Sequence, residues 1–152
     1  MGSEIRLQGG TVPGLKLLVD TSVWSLAMRR DQSDGHPSVE FLADALRHEG
    51  SIFTTGLILQ EILQGFSGPK ARKQILDRFT PLPMIVPQRE DHTAAADLRN
   101  DCRRRGVQIG TIDALLARLC IRHELVMLST DRDFEFLATI APLRLWASQP
   151  LH

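Results

Sequence analysis

The sequence has no tyrosine, two tryptophans and six phenylalanines in 152 residues. So few rings leave no aromatic stacking pattern from which a ligand could be read. Cysteine is equally scarce. Cys102 and Cys120 both fall in helical patterns, which fits reduced, packed thiols of a cytosolic protein rather than a disulfide or a ligand pair. No apolar run approaches the ~18 residues of a membrane span. The start shows no basic stretch followed by an apolar core, so no secretory signal is expected. The expected setting is cytoplasmic, without membrane contact. An excess of one charge is also missing, since 18 basic and 18 acidic side chains give a formal net charge of +0. That argues against a charged disordered tail or a general polyanion binder, and leaves room for a local basic groove. The histidines His36, His48, His92, His123 and His152 show no zinc-ligand spacing. There is no internal repeat, low-complexity tract or linker. What remains is 43% hydrophobic, an ordinary globular value in a chain long enough for one domain with a real core. The domain is expected over residues 15–148, with residues 1–14 as an extra N-terminal segment or a tag remnant.

The clearest element is Leu17-Leu18-Val19-Asp20-Thr21-Ser22-Val23-Trp24. Its apolar run reads as a buried strand that stops abruptly at Asp20. Thr21 or Ser22 is placed to cap the helix that follows, over 23–30. Ligands of open α/β sheets bind at the carboxyl ends of strands, so Asp20 stands where chemistry tends to occur. Trp24 reads as a core residue. A turn-rich break at 31–35 leads to a helix opening at His36-Pro37-Ser38, with Val39, Leu42, Ala43 and Leu46 as its core face. A strand follows at 51–54. A strand, two helices and another strand imply a parallel sheet with crossovers. In the next helix, over 57–66, Ile58, Leu59, Ile62, Leu63 and Phe66 form one apolar arc and Glu61 falls outside it. Taken alone, Glu61 reads as a solvated glutamate. Its helix follows a strand, however, which brings it close to the carboxyl edge of the sheet. A basic helix (70–79), a short strand (84–86) and a long helix (88–105) come next. In the long helix Asp97 and Asp101 read as surface acids, Asp101 pairing with Arg105 four positions on. A helix over 109–123, strands at 125–128 and 143–146, and a short helix at 134–138 complete the pattern. The expected fold is a three-layer α/β/α sandwich around a mainly parallel sheet of four to five strands.

The acids carry the chemistry. Asp113 projects from the flank of an apolar face made by Ile112, Leu116, Leu119 and Cys120. A buried charge there is costly without a cation, donors or a metal, although the helix N-terminus supplies some compensation. Asp131 and Asp133 follow the strand at 125–128 and would cap the next helix if they did nothing else. In a three-layer sandwich Asp20, Glu61, Asp113 and Asp131 can meet at one edge. Carboxylates so gathered repel strongly without cations, and an oxygen-only cluster suits Mg²⁺ or Mn²⁺ rather than zinc. A hard divalent cation held by carboxylates usually works on phosphates. Arg29, Arg30 and the cluster Arg103-Arg104-Arg105 read first as charges that suit helix C-termini; their functional reading is contact with backbone phosphates of a nucleic acid.

Val19-Asp20-Thr21-Ser22-Val23-Trp24, Gln60-Glu61-Ile62-Leu63-Gln64-Gly65, Gly110-Thr111-Ile112-Asp113-Ala114-Leu115-Leu116-Ala117 and Ser129-Thr130-Asp131-Arg132-Asp133-Phe134 resemble, in order, the signature segments of PIN-domain nucleases. The likeness is closest to VapC-like toxins of bacterial type II toxin–antitoxin pairs. It implies a Mg²⁺-dependent endoribonuclease that cuts single-stranded or loop RNA. Asp20, Glu61, Asp113 and Asp131 would be the acidic quartet, serving catalysis and metal binding. Thr21 or Ser22 and Thr111 would be supporting hydroxyls, and Asp133 a secondary acid. It also implies a homodimer and a small cognate antitoxin whose tail fills the acidic groove. A non-toxin PIN nuclease of RNA processing, or a weakly catalytic binding module of the same fold, carries the same segments. An aspartyl phosphatase would need an acid where Ser22 stands. A receiver-like module would need a lysine where the last strand offers Arg144.

Overall fold

The computed structural model describes residues 4–6, 14–29 and 35–147. Its strands are β1 (Glu4–Arg6), β2 (Leu17–Val19), β3 (Ile52–Thr55), β4 (Met84–Ile85), β5 (Val126–Leu128) and β6 (Arg144–Ala147). The helices are α1 (Thr21–Met28), α2 (Pro37–Ala45), α3 (Gly56–Gly65), α4 (Pro69–Phe79), α5 (Arg89–Arg104), α6 (Thr111–Arg122) and α7 (Asp133–Ile140). The strands form one sheet in the order β1-β6-β5-β2-β3-β4, and every neighbouring pair is parallel. Strands β2 to β6 supply the predicted parallel sheet. β1 adds an edge strand from the stretch expected to lie outside the domain, with Ile5 in register with Trp146.

The centre of the sheet explains its own sequence. Leu17, Leu18 and Val19 are completely buried, as are Met127 and Leu128 beside them. A parallel strand covered by helices on both faces has no polar side, so it reads as a continuous apolar run rather than an alternation. Leu116 and Leu119 of α6 and Ile58 and Ile62 of α3 complete the core, all with no exposure. Chain order reverses across β2: β3 and β4 extend to one side, β5 and β6 to the other. The crevice beyond the carboxyl ends of β2 and β5 is therefore the topological switch point, where open α/β sheets bind ligands.

Several local expectations are corrected. Thr21 and Ser22 do not cap α1. The cap position is Asp20, whose side chain makes no capping bond, and both hydroxyls lie inside the first turn. The core side of α2 is Ser38, Phe41, Leu42 and Ala45. Of the predicted stripe, Leu42 is in the core, whereas Val39 and Leu46 are half-buried and Ala43 is exposed, bordering an open groove between α1, α2 and α4. The rotation follows from Phe41, whose ring stacks on Trp146 of β6 at 4.6 Å and so turns that side of the helix inward. Ile112, expected on the apolar face of α6, is 38% exposed; Ala114 and Leu115 are buried instead. Asp101 pairs with Arg104 at 2.5 Å, not with Arg105. Trp24 is a core residue, 3% exposed with its ring 4.7 Å from Phe79. Cys102 and Cys120 are both free and buried.

Candidate functional site

Asp20 sits one residue beyond β2, and its N–H donates to the Leu128 carbonyl of β5 at 2.9 Å. The ends of the two central strands are thus locked together at backbone level. Side chains repeat the lock. Ser22 Oγ donates to Asp20 Oδ2 at 2.9 Å and Ser129 Oγ donates to the same oxygen at 2.8 Å. Each serine oxygen in turn accepts a backbone N–H from the turn after β5, Ser22 from Thr130 at 3.1 Å and Ser129 from Asp131 at 3.0 Å. Each hydroxyl has one proton and spends it on Asp20, so the 3.3 Å approach of the two serine oxygens is a contact within this network. Asp20 Oδ2 is held; Oδ1 makes no hydrogen bond among the described residues. Asp20 as a whole is 7% exposed.

Glu61 lies in the second turn of α3, whose start is fixed by Thr55 Oγ1 accepting from the Ile58 N–H at 3.2 Å. Thr21 Oγ1 donates to Glu61 Oε1 at 3.3 Å, linking the first turn of α1 to α3. Burial, then the charge of Asp20, pushes the Glu61 carboxyl above its usual range, and the Thr21 bond works in the opposite direction.

Asp113 enters from the first turn of α6. One oxygen each of Asp113, Asp131 and Asp133 lies within 4.8 Å of the others. Asp131 Oδ1 accepts the Asp133 N–H at 2.9 Å, so the two acids of this turn are held in fixed relation. Burial pushes Asp113 up to about 6, and Asp20, Asp131, Asp133 and Glu61 add to the rise. Asp133 is raised by burial and then by Asp131. The charge of every other acid in the group acts on Asp113, which marks it as the electrostatic centre.

Residues 17–139 match the model of the PIN domain. The chain belongs to the PIN domain family. It is 30% identical over 130 residues to ribonuclease VapC11 of Mycobacterium tuberculosis, a match covering 84% of this chain and 96% of that protein. VapBC2 from Rickettsia felis, solved bound to a DNA fragment from its promoter, superposes with a TM-score of 0.64 at 18% identity, over 90% of this chain and 100% of that one. VapC20 of M. tuberculosis, a sarcin-ricin loop cleaving toxin, gives 0.60 at 18% identity over 80% of this chain and 94% of its own. These structural likenesses are of fold.

The donor set of this PIN domain fits a hard divalent cation. It offers carboxylate oxygens only, with no thiolate or imidazole among the grouped ligands. Asp113, Asp131 and Asp133 would each offer one carboxylate oxygen to such a cation. The tightest group is Asp113, Asp131 and Asp133, which gives Asp133 a nearer place than its expected secondary one; Asp20 and Glu61 flank it.

The predicted auxiliary residues divide. Thr21 and Ser22 reach Glu61 and Asp20. Thr111 is exposed and its side chain makes no hydrogen bond among the described residues. Arg29 is an exposed C-cap of α1, and Arg30 lies outside the described residues. Arg103, Arg104 and Arg105 are exposed at the end of α5. Burial, then the charge of Asp101, raises the Cys102 thiol at that end of the helix, and Arg105 works in the opposite direction.

Sequence reasoning passed over Ser129, a hydroxyl hidden inside its own motif. It also passed over Asp91, which is completely buried although it opens a polar helix. Asp91 accepts the Gln88 N–H at 2.8 Å, Arg118 Nε at 3.1 Å, and Arg122 Nε and Nη2 at 2.7 and 2.8 Å. Burial alone would raise its pKa; the bonds from Gln88, Arg122 and Arg118 outweigh that and hold it below the usual value. Its local bond to Gln88 is that of an ordinary capping box, and no local signal reveals its burial, because its two arginine partners come from another helix.

Proposed function

We propose that this chain is a metal-dependent endoribonuclease that cuts single-stranded or loop RNA and acts as the toxin of a bacterial toxin–antitoxin pair. The observation that carries the reading is the meeting of acids from separate segments at the switch point, with Asp113 pushed up to about 6 by burial and its neighbours. Its kinship with ribonuclease VapC11 supports an RNA substrate. Asp113, Asp131 and Asp133 would hold Mg²⁺ or Mn²⁺, with Asp20 and Glu61 completing the site. Such a cation supplies charge stabilisation at a phosphoryl oxygen and a water of lowered pKa. The protein's own part is orientation. Ser22 and Ser129 fix one oxygen of Asp20 and leave the other without a hydrogen bond among the described residues, and Thr21 binds Glu61. Arg103, Arg104 and Arg105 offer exposed cations for phosphate contacts that position the strand.

The partner reading rests on likeness to a VapBC complex and on the groove between α1, α2 and α4. That groove presents the half-buried Met28, Val39, Leu46 and Leu82, an apolar lining suited to a helix of a small antitoxin. A homodimer belongs to the same reading: half-buried Leu59 and Leu63 line a shallow hollow on α3 that a second copy would cover. No helix among the described residues is long and apolar enough to cross a membrane.

The test uses partner-free protein, structured RNAs with single-stranded loops, and Mg²⁺. Cleavage that stops with EDTA and in Asp20→Asn is expected. Cleavage that continues unchanged in Asp20→Asn would sink the assignment of these acids. Expression should arrest growth, and Asp113→Ala should relieve the arrest.

A further inference from the structure

Helix α6 carries Asp113 in its first turn, and α5 grips α6 at two separated points. At the far end Asp91 binds Arg118 and Arg122. At the near end Arg99 Nε donates to the Ile109 carbonyl at 2.7 Å. Ile109 is 1% exposed and directly precedes Gly110, the N-cap of α6. The Gly110 carbonyl accepts the Ala114 N–H at 3.0 Å, so Gly110 and Asp113 belong to one rigid turn. A Cβ on Gly110 would lie 3.5 Å from Asp113 Oδ2, which shows how closely the carboxylate folds back on this turn.

We propose that Arg99 is a positioning residue for Asp113, acting through the Ile109 carbonyl to place the first turn of α6 against Asp131 and Asp133. The proposal rests on the metal-site reading above. The geometry makes the near-end bond matter. Asp113 stands nine residues before Arg122, about 13 Å along a helix rising 1.5 Å per residue. With the Arg122 end pinned by Asp91, a tilt of about 5° carries the Asp113 carboxylate about 1 Å, whereas metal–ligand distances are set to roughly 0.2 Å. The ionic grip at the far end cannot prevent that tilt. A guanidinium on a buried carbonyl next to the N-cap can, because it acts beside the turn that moves.

Calorimetric titration with Mn²⁺ on the full chain separates positioning from bulk stability. Arg99→Met should stay folded by circular dichroism and lose ten- to a hundredfold in Mn²⁺ affinity, the range for residues that orient metal ligands. Arg99→Lys, which can still donate to the Ile109 carbonyl, should recover most of it. Phe79→Leu, a core change in α4 away from this contact, should lower the melting temperature and leave Mn²⁺ affinity unchanged. If Arg99→Met does not fold, Arg99→Gln, whose shorter amide falls short of the carbonyl, replaces it with the same expected loss. Wild-type affinity in the variant, or an equal loss in Phe79→Leu, would overturn the proposal. A wild type that binds no Mn²⁺, matched by Asp113→Asn, would overturn the metal site itself and the proposal with it.

Discussion

Removing the charge of Asp113 should stabilise the metal-free protein while destroying its site. The rise of this carboxyl from 3.8 to about 6 corresponds to about 3 kcal/mol at ~1.4 kcal/mol per tenfold change in proton affinity. Asp113 is part-exposed, so solvent screening reduces the effect to about 1–2 kcal/mol. The sign follows from linkage. Folded Asp113 holds its proton more tightly than the unfolded chain does. Between pH 3.8 and about 6 the native state therefore binds more protons, and stability falls as pH rises through that window. Above it the full penalty is present; below it both states are protonated and the penalty vanishes. In Asp113→Asn the group stays neutral at every pH. Urea unfolding in EDTA should give equal stabilities for the two proteins near about pH 3, below both values, and a gap of about 1–2 kcal/mol at about pH 7.5. The corresponding shift in melting temperature is about 2–8 °C for a chain of this size. A variant no more stable than wild type at pH 7.5, or a gap independent of pH, would refute the electrostatic account of this cluster.

Ser129→Ala removes one of the two hydroxyls on Asp20 Oδ2, and RNA cleavage should fall about tenfold or more, as for other groups that orient ligands; Ser129→Thr should retain most activity in the same assay. Asp91→Ala strands two arginines and should cost about 3 kcal/mol in urea unfolding at pH 7. Because the Asp91 pKa is depressed, its stabilisation is present above its ordinary 3.8 and fades as pH falls below that, so the two proteins should converge in acid. Mn²⁺ at a hundred times its dissociation constant should stabilise wild type by about 2.7 kcal/mol and leave Asp113→Asn unmoved, measured as the melting temperature with and without EDTA.

Much of the fold was legible because its central strands obey a local rule. Leu17 to Val19 and Val126 to Leu128 are apolar throughout since both faces are covered, and such runs bounded by polar residues have few other readings. Faces of helices were less legible. The stripe of Val39, Leu42, Ala43 and Leu46 has core periodicity, yet only Leu42 is in the core and the rest borders a groove, and the stack of Phe41 on Trp146 decides which side turns inward. Periodicity reports that a face is apolar, not what covers it.

For the site, the sequence by itself determined which acids are available and where each stands on its element. Asp20 and Asp131 had to follow buried strands, and Glu61 and Asp113 had to lie in early turns of helices, because hydrophobic patterning fixes the position of a residue along its own element. The tertiary structure alone decided how those positions combine. It made Asp133 a close member of the group, enlisted Ser129 from the end of the neighbouring strand to hold Asp20, and buried Asp91 against two arginines. Each of these depends on distances between residues remote in the chain, and local sequence does not encode such distances. Asp20 shows both halves of the answer. Its place at the end of β2 follows from the apolar run before it, whereas the fixing of its carboxylate depends on a serine 109 residues away.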